Sequence, residues 1–430
     1  MAVLPKSVTL QGCISLPAIL KKNGIYTHLV SDHYHYWEDG GSTYHNRYNT
    51  WEIERGQEGD NWKGCVKDPE PKERIGRIWR QDDVNREYMQ TEEEMPQYRT
   101  FQKGLEFINT NKDQDNWFLQ IETFDPHEPF FSMEEWQNLY PHDCSGPKFD
   151  WPEYAKVSET PEQVEHIRHL YGVMMSMCDN YLGKVLDIMD ANNMWEDTML
   201  IVNTDHGYLL GEHGWWAKCV IPFYNEVAHT LLFIWDPRSG KSGEKRKSLV
   251  QTINLAPTLL DYFAIQPTED MTGKVLKDTI EKDNPVREAA LFGMHGGHIN
   301  CTDGRYVYML APQKPKPETP TLFNYTIMPT HMRNLFTVEE LKQATLSEPF
   351  TFTKEVPLMK IPAQEGSLGG PGGEVVKEPL VSMLFDLEQD PQQQRPFRDA
   401  ALEDMMKKHL VALLRAHDAP QELYCRFGLD

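Results

Sequence analysis

The sequence predicts an α/β fold, with helices packed on a sheet. Residues 117–124 and 199–203 are short apolar runs typical of inner strands, and the second has the pattern of a strand buried on both faces of a parallel sheet. Residues 162–190 carry apolar side chains at every third or fourth position, which predicts an amphipathic helix. A helix followed by a strand is the crossover from which α/β sheets are built.

Further elements continue this alternation along the chain. They are a buried strand at 230–235, a helix at 254–261, and strands at 289–292 and 305–310. We expect a large α/β domain over residues 1–285 and a smaller α+β domain over residues 286–430. The charged segment 68–94 is predicted to be an exposed loop, and the Pro- and Gly-rich segment 313–373 a loop that covers a site or a subunit contact.

Composition excludes several classes of partner. The 430 residues include 65 acidic side chains against 43 of Lys and Arg, a formal net charge of −22. Nucleic acid and anionic membranes are therefore not expected partners. No apolar segment is long enough to span a membrane, and the first residues lack a signal-peptide core. Seven cysteines without a CxxC pair predict reduced thiols in a cytoplasmic protein.

The residues after the strand at 199–203 form the densest group of candidate ligands. Asp205 and His206 follow the strand directly, and Lys218 follows a glycine-containing loop. Ligands bind at the carboxyl ends of strands in open α/β sheets. Asp oxygen and His nitrogen both bind divalent cations, and Lys218 adds a positive charge for an anion. The alternative is that Asp205 and His206 only cap the next helix.

This motif, Asp-His-Gly at 205–207, Gly-Glu-His-Gly at 211–214 and then Lys218, resembles the second metal-binding motif of the sulfatases in the alkaline phosphatase superfamily. The resemblance implies an alkaline-phosphatase-like α/β/α sandwich with a smaller C-terminal α+β subdomain. It assigns a divalent metal to Asp205 and His206, with calcium expected and manganese or magnesium as alternatives. Lys218 and His213 would bind the substrate, and Lys218 would also act in catalysis. Because a His at the position of His206 is found both in bacterial sulfatases and in phosphonate monoester hydrolases, the resemblance leaves the ester type and the metal open.

A second motif, Pro-His-Glu-Pro at 126–129, follows the strand predicted at 117–124. An imidazole donates a proton near neutral pH, so His127 is a candidate acid or anion contact. The string is similar to the Pro-His-x-Pro of the sulfatases, whose His contacts the sulfate or protonates the leaving oxygen. His127 is therefore predicted to be both catalytic and substrate-binding.

A third candidate region is the segment 27–37, where many sulfatases carry Gly-Lys-Trp-His. With one inserted residue, His33 and His35 take the places of the family's Lys and His, which contact the sulfate and the leaving oxygen. Without the insertion, Asp32 and Tyr34 take them. The two histidines would share one side of an extended segment, and we favour them as catalytic residues. A polar surface loop is the alternative.

The formylglycine motif of the sulfatases, Cys-x-Pro-x-Arg or Ser-x-Pro-x-Arg, does not occur in the 430 residues. We therefore expect the chain to start downstream of that motif and to be inactive as given. With that segment, the resemblance implies hydrolysis of a small sulfated substrate, whether a sugar, a glycan or an aryl ester, by a formylglycine nucleophile. A phosphonate or phosphodiester hydrolase and a non-catalytic anion-binding protein are the alternatives.

Overall fold

The structure is a computed structural model that describes residues 15–70, 73–218, 222–313, 321–331, 333–363 and 380–429. The helices of these residues are α1 (Leu16–Lys22), α2 (Arg80–Arg86), α3 (Pro96–Asn111), α4 (Glu134–Gln137), α5 (Pro161–Ala191), α6 (Asn225–Ala228), α7 (Leu255–Tyr262), α8 (Lys277–Lys282), α9 (Val338–Lys342), α10 (Ala400–Ala416) and α11 (Gln421–Phe427). The strands are β1 (Tyr26–Ser31), β2 (Thr50–Ile53), β3 (Trp117–Glu122), β4 (Leu200–Asn203), β5 (Leu209–Leu210), β6 (Trp216–Ala217), β7 (Leu232–Trp235), β8 (Ala290–Gly293), β9 (Ile299–Thr302), β10 (Tyr306–Leu310), β11 (Phe323–Thr326), β12 (Thr345–Leu346), β13 (Met359–Pro362) and β14 (Met383–Asp386).

A parallel sheet holds the first part of the chain together. Its three strands run in the order β2-β1-β3, and β1 is buried from Thr27 to Ser31. The strand predicted at 117–124 is confirmed as β3. Because parallel strands end at one edge of a sheet, the residues that follow β1 and β3 come out side by side.

The long helix α5 confirms the periodicity of residues 162–190. It starts with a capping box in which Thr160 and Gln163 satisfy each other's backbone N–H groups. Its buried face is apolar, and it packs beside α3 and beneath β3. That face consists of Ile167, Leu170, Val173, Met174, Met177, Tyr181, Val185 and Met189. The methionines are core residues, as their spacing predicts.

The environment predicted for the strand at 199–203 was wrong. β4 is antiparallel to β7, and both strands are half-buried rather than enclosed. The strand predicted at 230–235 shares this error, since Phe233 of β7 is 66% exposed. An apolar run identifies a strand, but it carries no information on which neighbour pairs with it.

Two segments predicted to be loops contain regular structure. The charged segment 68–94 includes α2, where Arg86 is buried between Asp82 and Asp150. Mutual charge compensation lets such residues leave the surface, which composition does not reveal. In the segment 313–373, strands β11, β13 and β12 form an antiparallel sheet beside α9. The Gly-rich end of that segment, 366–373, lies outside the described residues.

The C-terminal part is built on an antiparallel sheet in the order β14-β10-β9-β8. Its strands β8 and β10 confirm the predictions at 289–292 and 305–310. Helix α10 buries Met406, Leu410 and Leu414 against this sheet. The boundary near residue 285 stays a prediction. Among the described helices, none has both the length and the apolar character to cross a bilayer.

Candidate active site

The ends of three strands bring most of the predicted site residues together. His33 and His35 follow β1, and His127 follows β3. The ring of Phe124 lies among them, with centroid distances of 5.4 Å to His33, 5.9 Å to His35 and 4.4 Å to His127. Residues 34–37 form a 3₁₀ turn rather than the extended segment we predicted. The two imidazoles nevertheless stay neighbours, with ring centroids 5.1 Å apart.

His127, Glu128 and Lys218 form one wall of the site. The Lys218 ammonium lies 3.5 Å from Glu128, whose side chain is fully buried and also accepts a hydrogen bond from Tyr154. Burial would raise the pKa of Glu128, but the neighbouring His127 and Lys218 outweigh it and lower that pKa to about 2. Glu128 is therefore ionised and holds Lys218 in place.

The tautomer of His127 is set by the backbone. Its Nδ1 lies 2.5 Å from the Glu128 carbonyl oxygen, so Nδ1 carries the proton and donates it. Burial lowers the pKa of His127, and the positive charge of Lys218 lowers it further. The imidazole is thus neutral in the free protein, with the Nε2 lone pair available.

Arg333 comes from a distant part of the chain and contacts residues of the same site. Its Nη2 donates to Glu58 at 3.3 Å and to His35 Nε2 at 3.1 Å. Since arginine only donates, His35 accepts at Nε2 and must carry its proton on Nδ1, which lies 2.6 Å from Glu38. The segment predicted to cover a site therefore supplies a cation to it.

His33 lies beside a carboxylate that raises its pKa. Its Nδ1 lies 3.2 Å from Glu122, which also accepts from Tyr36. Burial would lower the pKa of His33, but Glu122 overcomes it, and Asp205 adds to the net rise. The effect of Asp205 on His33 links the end of β1 to the end of β4.

Asp205 and His206 present two acceptor atoms to one another. His206 Nδ1 donates to the Gly207 carbonyl at 3.0 Å, and burial, followed by Lys218, lowers the pKa of the ring. Its Nε2 therefore bears a lone pair, which faces Asp205 Oδ2 at 3.2 Å. Two lone pairs at that distance repel unless a cation lies between them, and one oxygen with one imidazole nitrogen suits Ca²⁺, Mn²⁺ or Mg²⁺. The pair fits part of a divalent-metal site.

A second group of possible metal ligands lies in the wall itself. Glu58, His127 and Glu128 present atoms within 4.8 Å of one another, and among the described residues no other trio of His, Cys, Asp or Glu does so. Arg333 and Lys218 already neutralise the two carboxylates. We therefore interpret this trio as a charge-balanced scaffold and keep Asp205 and His206 as the candidate metal ligands.

The alternative residues for the segment 27–37 also lie beside these groups. Asp32 is fully buried, where it accepts from Gln57 at 2.9 Å and from the Phe124 N–H at 2.7 Å. The Tyr34 hydroxyl donates to Glu58 at 2.6 Å, and its ring centroid lies 5.9 Å from that of Phe124, as does that of His35. The alignment with one inserted residue stays a prediction.

His213 lies apart from the other predicted residues. Its ring stacks on Tyr224 at 3.6 Å, and Nε2 lies 3.3 Å from Glu226. The loop before it runs close to α6, because a Cβ at Gly207 would meet the Glu226 carbonyl oxygen at 1.9 Å. His213 instead lines a cavity of about 280 Å³ with Phe385 and other C-terminal residues. No contact found in the described part of the chain joins it to Lys218 or His127.

Three residues of the site were missed by sequence reasoning. Glu128 lies inside a motif that drew attention only to its histidine, and Glu58 and Arg333 lie in segments without a recognised motif. Glu58 has a left-handed backbone at φ 47°, a conformation that nothing in the sequence signals. For Arg333, only its place in the predicted covering loop was a hint.

Comparison with known proteins identifies the class. A sequence profile of the sulfatases matches residues 7–265. A sulfatase from Formosa agariphila is 26% identical over 235 residues, which are 50% of this chain and 46% of that protein. A solved protein in complex with its substrate D-glucosamine-2-N,6-O-disulfate superposes with a TM-score of 0.60 at 12% identity, covering 95% of this chain and 83% of that one. The phosphonate monoester hydrolase of Agrobacterium radiobacter gives 0.57 at 15% identity, covering 93% and 79%.

The fold and the matched motifs define a hydrolase-like protein of the alkaline phosphatase superfamily, and the predicted α/β fold is confirmed. Within that superfamily, the chain belongs to the sulfatase family. The matched regions span less than half the length of the curated relatives.

Proposed function

We propose that the protein cleaves sulfate esters of a small sulfated sugar, with a divalent metal bound in part by Asp205 and His206. One observation carries the proposal: cationic and neutral donors from three strand ends converge beside the Asp205–His206 pair. The family membership supports ester hydrolysis, and the choice of a sulfated sugar rests on the sulfated glucosamine bound by the structural relative. Calcium is the metal we propose.

The binding step follows from the charges of the wall. Lys218, held by Glu128, and His33, whose pKa is raised, provide positive charge for the sulfate oxygens. These donors are fixed before the ligand arrives, so little reorganisation accompanies binding. A metal held in part by Asp205 and His206 would supply further positive charge for the sulfate.

His127 then provides the proton for the leaving oxygen. In the free protein it is neutral, with Nδ1–H on the Glu128 carbonyl and Nε2 open. A bound sulfate brings negative charge beside the ring and raises its pKa, so Nε2 takes up a proton with the substrate. That proton passes to the ester oxygen as the sulfur–oxygen bond breaks.

The identity of the nucleophile is a separate part of the proposal. Formylglycine is the group that the family uses, and its sequence motif is absent from the 430 residues. A nucleophile of this kind would come from residues outside them. Intact mass of the protein from its source, compared with the 50.0 kDa of this chain, tests that point.

The activity is tested on the protein isolated from its source, with a sulfated glucosamine and 4-nitrophenyl sulfate as substrates. We expect turnover that is lost on metal chelation and restored by Ca²⁺. The Lys218→Ala variant is expected to lose sulfate affinity at least tenfold in calorimetry, while the exposed Lys277→Ala variant keeps it. Sulfate binding without turnover would favour the non-catalytic alternative.

A phosphonate or phosphodiester hydrolase is the second candidate, because His206 stands at the metal position and a phosphonate hydrolase shares the fold. The same wall would bind a phosphorus ester. Comparing kcat/KM for phenyl phosphonate monoesters and for 4-nitrophenyl sulfate separates the two. A preference for the phosphonate would overturn the sulfate ester as the natural substrate.

A further inference from the structure

Three histidines lie together at the start of α5, in contact with the loop before it. His166 and His169 are one turn apart on the helix, and His142 comes from the loop. His142 Nε2 lies 2.6 Å from His166 Nδ1, and the His142 and His169 ring centroids are 4.3 Å apart. This trio is separate from the groups around Phe124.

The proton of His142 is fixed by the backbone. Its Nδ1 lies 2.8 Å from the Tyr140 carbonyl oxygen, which only accepts, so Nδ1 carries the hydrogen. In the neutral ring, Nε2 then presents a lone pair to His166. A hydrogen bond from one ring nitrogen to a backbone carbonyl, with the other nitrogen acting as an acceptor, is the arrangement that supports a metal-ligating histidine.

His169 shows the same division between its two nitrogens. Its Nε2 lies 3.6 Å from the Glu165 carboxylate, which favours the hydrogen on that side. Its Nδ1 is buried and has no hydrogen-bond partner within the residues that the structure describes. An unsatisfied buried nitrogen is costly, and a bound cation would remove that cost.

We propose that His142, His166 and His169 bind a borderline divalent cation of the Zn²⁺, Cu²⁺ or Ni²⁺ class. Three imidazoles without a carboxylate ligand select these ions over Ca²⁺ and Mg²⁺. Burial, followed by the neighbouring His142 ring, lowers the pKa of His166, which favours the neutral form that binds metals.

Small side-chain movements would bring the three imidazole nitrogens to metal-coordination distance. Two ligands of a tetrahedral zinc ion stand about 3.3 Å apart, given Zn–N bonds of about 2.0–2.1 Å, so the His142–His166 pair has to open slightly. The three nitrogens do not yet all lie within 4.8 Å of one another, and His169 has to turn about its side-chain bonds. Its side chain is 31% exposed, which leaves room for that rotation.

The ion would tie the loop to the long helix. The chain between His127 and α5 carries Tyr154, which donates to Glu128 in the wall of the candidate active site. Fixing His142 on α5 anchors that same loop. The proposal itself does not depend on the proposed esterase function.

The test uses the full chain in an Asp205→Ala/His206→Ala background, so that the candidate catalytic metal site does not contribute. After chelator treatment and gel filtration, Zn²⁺ is titrated by calorimetry at pH 7.5, and Co²⁺ is followed by its visible absorption. We expect one equivalent of Zn²⁺ and a Co²⁺ spectrum typical of nitrogen ligands. The His166→Ala and His142→Ala variants should each weaken binding at least tenfold and lose that spectrum.

The exposed His229→Ala variant is the matched control and should bind like the parent. Circular dichroism without metal checks that each variant is folded. Since His142 lies in a loop, its variant gives an answer even if the helix variant unfolds. Binding that is absent in the parent, or unchanged in folded His142→Ala protein, would overturn the proposal.

Discussion

The two sides of the candidate active site differ in how far they are organised before a ligand binds. Glu128 and Lys218 are buried and paired with each other, whereas the Asp205 side chain is 74% exposed. The first side is a buried pair whose charges are balanced within the protein. The second is an exposed acceptor pair that has no such internal partner for its charge. We therefore predict that mutations impair the proposed anion binding and the proposed metal binding separately.

The largest effect is expected from breaking the wall with Glu128→Gln. The change leaves Lys218 buried without a counter-charge, which typically costs about 3–5 kcal/mol of unfolding free energy. Because the pKa of Glu128 falls from 4.5 to about 2 on folding, its contribution is present above pH 4.5 and lost as the pH falls toward 2. Urea unfolding at pH 7 and pH 3 measures both.

The control for this change is the exposed Glu135→Gln, which should alter the unfolding free energy by less than about 0.5 kcal/mol. Equal stability of Glu128→Gln and the parent at pH 7 would show that the wall is not held by this pair.

The second-largest effect concerns the buried carboxyl group of Asp32, which directly follows β1. Burial raises the pKa of Asp32 from 3.8 to about 7, partly offset by Gln57. The unfolded chain loses this proton first, so stability falls as the pH rises from 4 to 7 and is level above 7. One pKa unit corresponds to about 1.4 kcal/mol, which makes the cost at most about 4 kcal/mol.

Asp32→Asn removes that ionisation while the amide can still accept from the Phe124 N–H. We expect the variant to gain stability relative to the parent as the pH rises from 5 to 8, in urea unfolding curves recorded at each pH. A stability difference that stays constant between pH 5 and pH 8 would show that Asp32 does not titrate in this range.

On the exposed side, Asp205→Asn should affect metal binding and little else. Asn lacks the charge that an oxygen-rich divalent site requires, so we expect Ca²⁺ or Mn²⁺ affinity to fall at least tenfold in calorimetry. The unfolding free energy without metal should change by less than about 0.5 kcal/mol, since the side chain is mostly solvated. A similar affinity in the variant and the parent would remove Asp205 from the metal site.

The same comparison explains what the sequence could predict. Asp205, His206, His127 and Lys218 stand in short motifs at strand ends, and these motifs are enough to mark them as candidate site residues. The antiparallel pairing of β4 depends on a partner some thirty residues away, which no local pattern specifies.

Long-range contacts account for the other misses. Arg333 meets His35 across 298 positions of the chain, and Glu58 meets His127 through loop geometry. Such contacts are decided by tertiary packing, so neither residue could be assigned from its neighbours in sequence. His213 lies within a recognised motif but apart from Lys218 and His127, so its role in substrate binding stays a prediction.

The smallest expected effect tests whether His213 is separate from the Lys218 and His127 wall. Glu226 is partly exposed and lies 3.3 Å from His213 Nε2, so Glu226→Gln should cost less than about 1 kcal/mol. If His213 is only a packing residue on Tyr224, weakening its contact with Glu226 leaves sulfate affinity unchanged in calorimetry. The control is Lys218→Ala in the same assay, which should lose affinity at least tenfold. A comparable loss in Glu226→Gln would instead couple His213 to the anion-binding wall, and the cavity beside Phe385 would then adjoin the substrate.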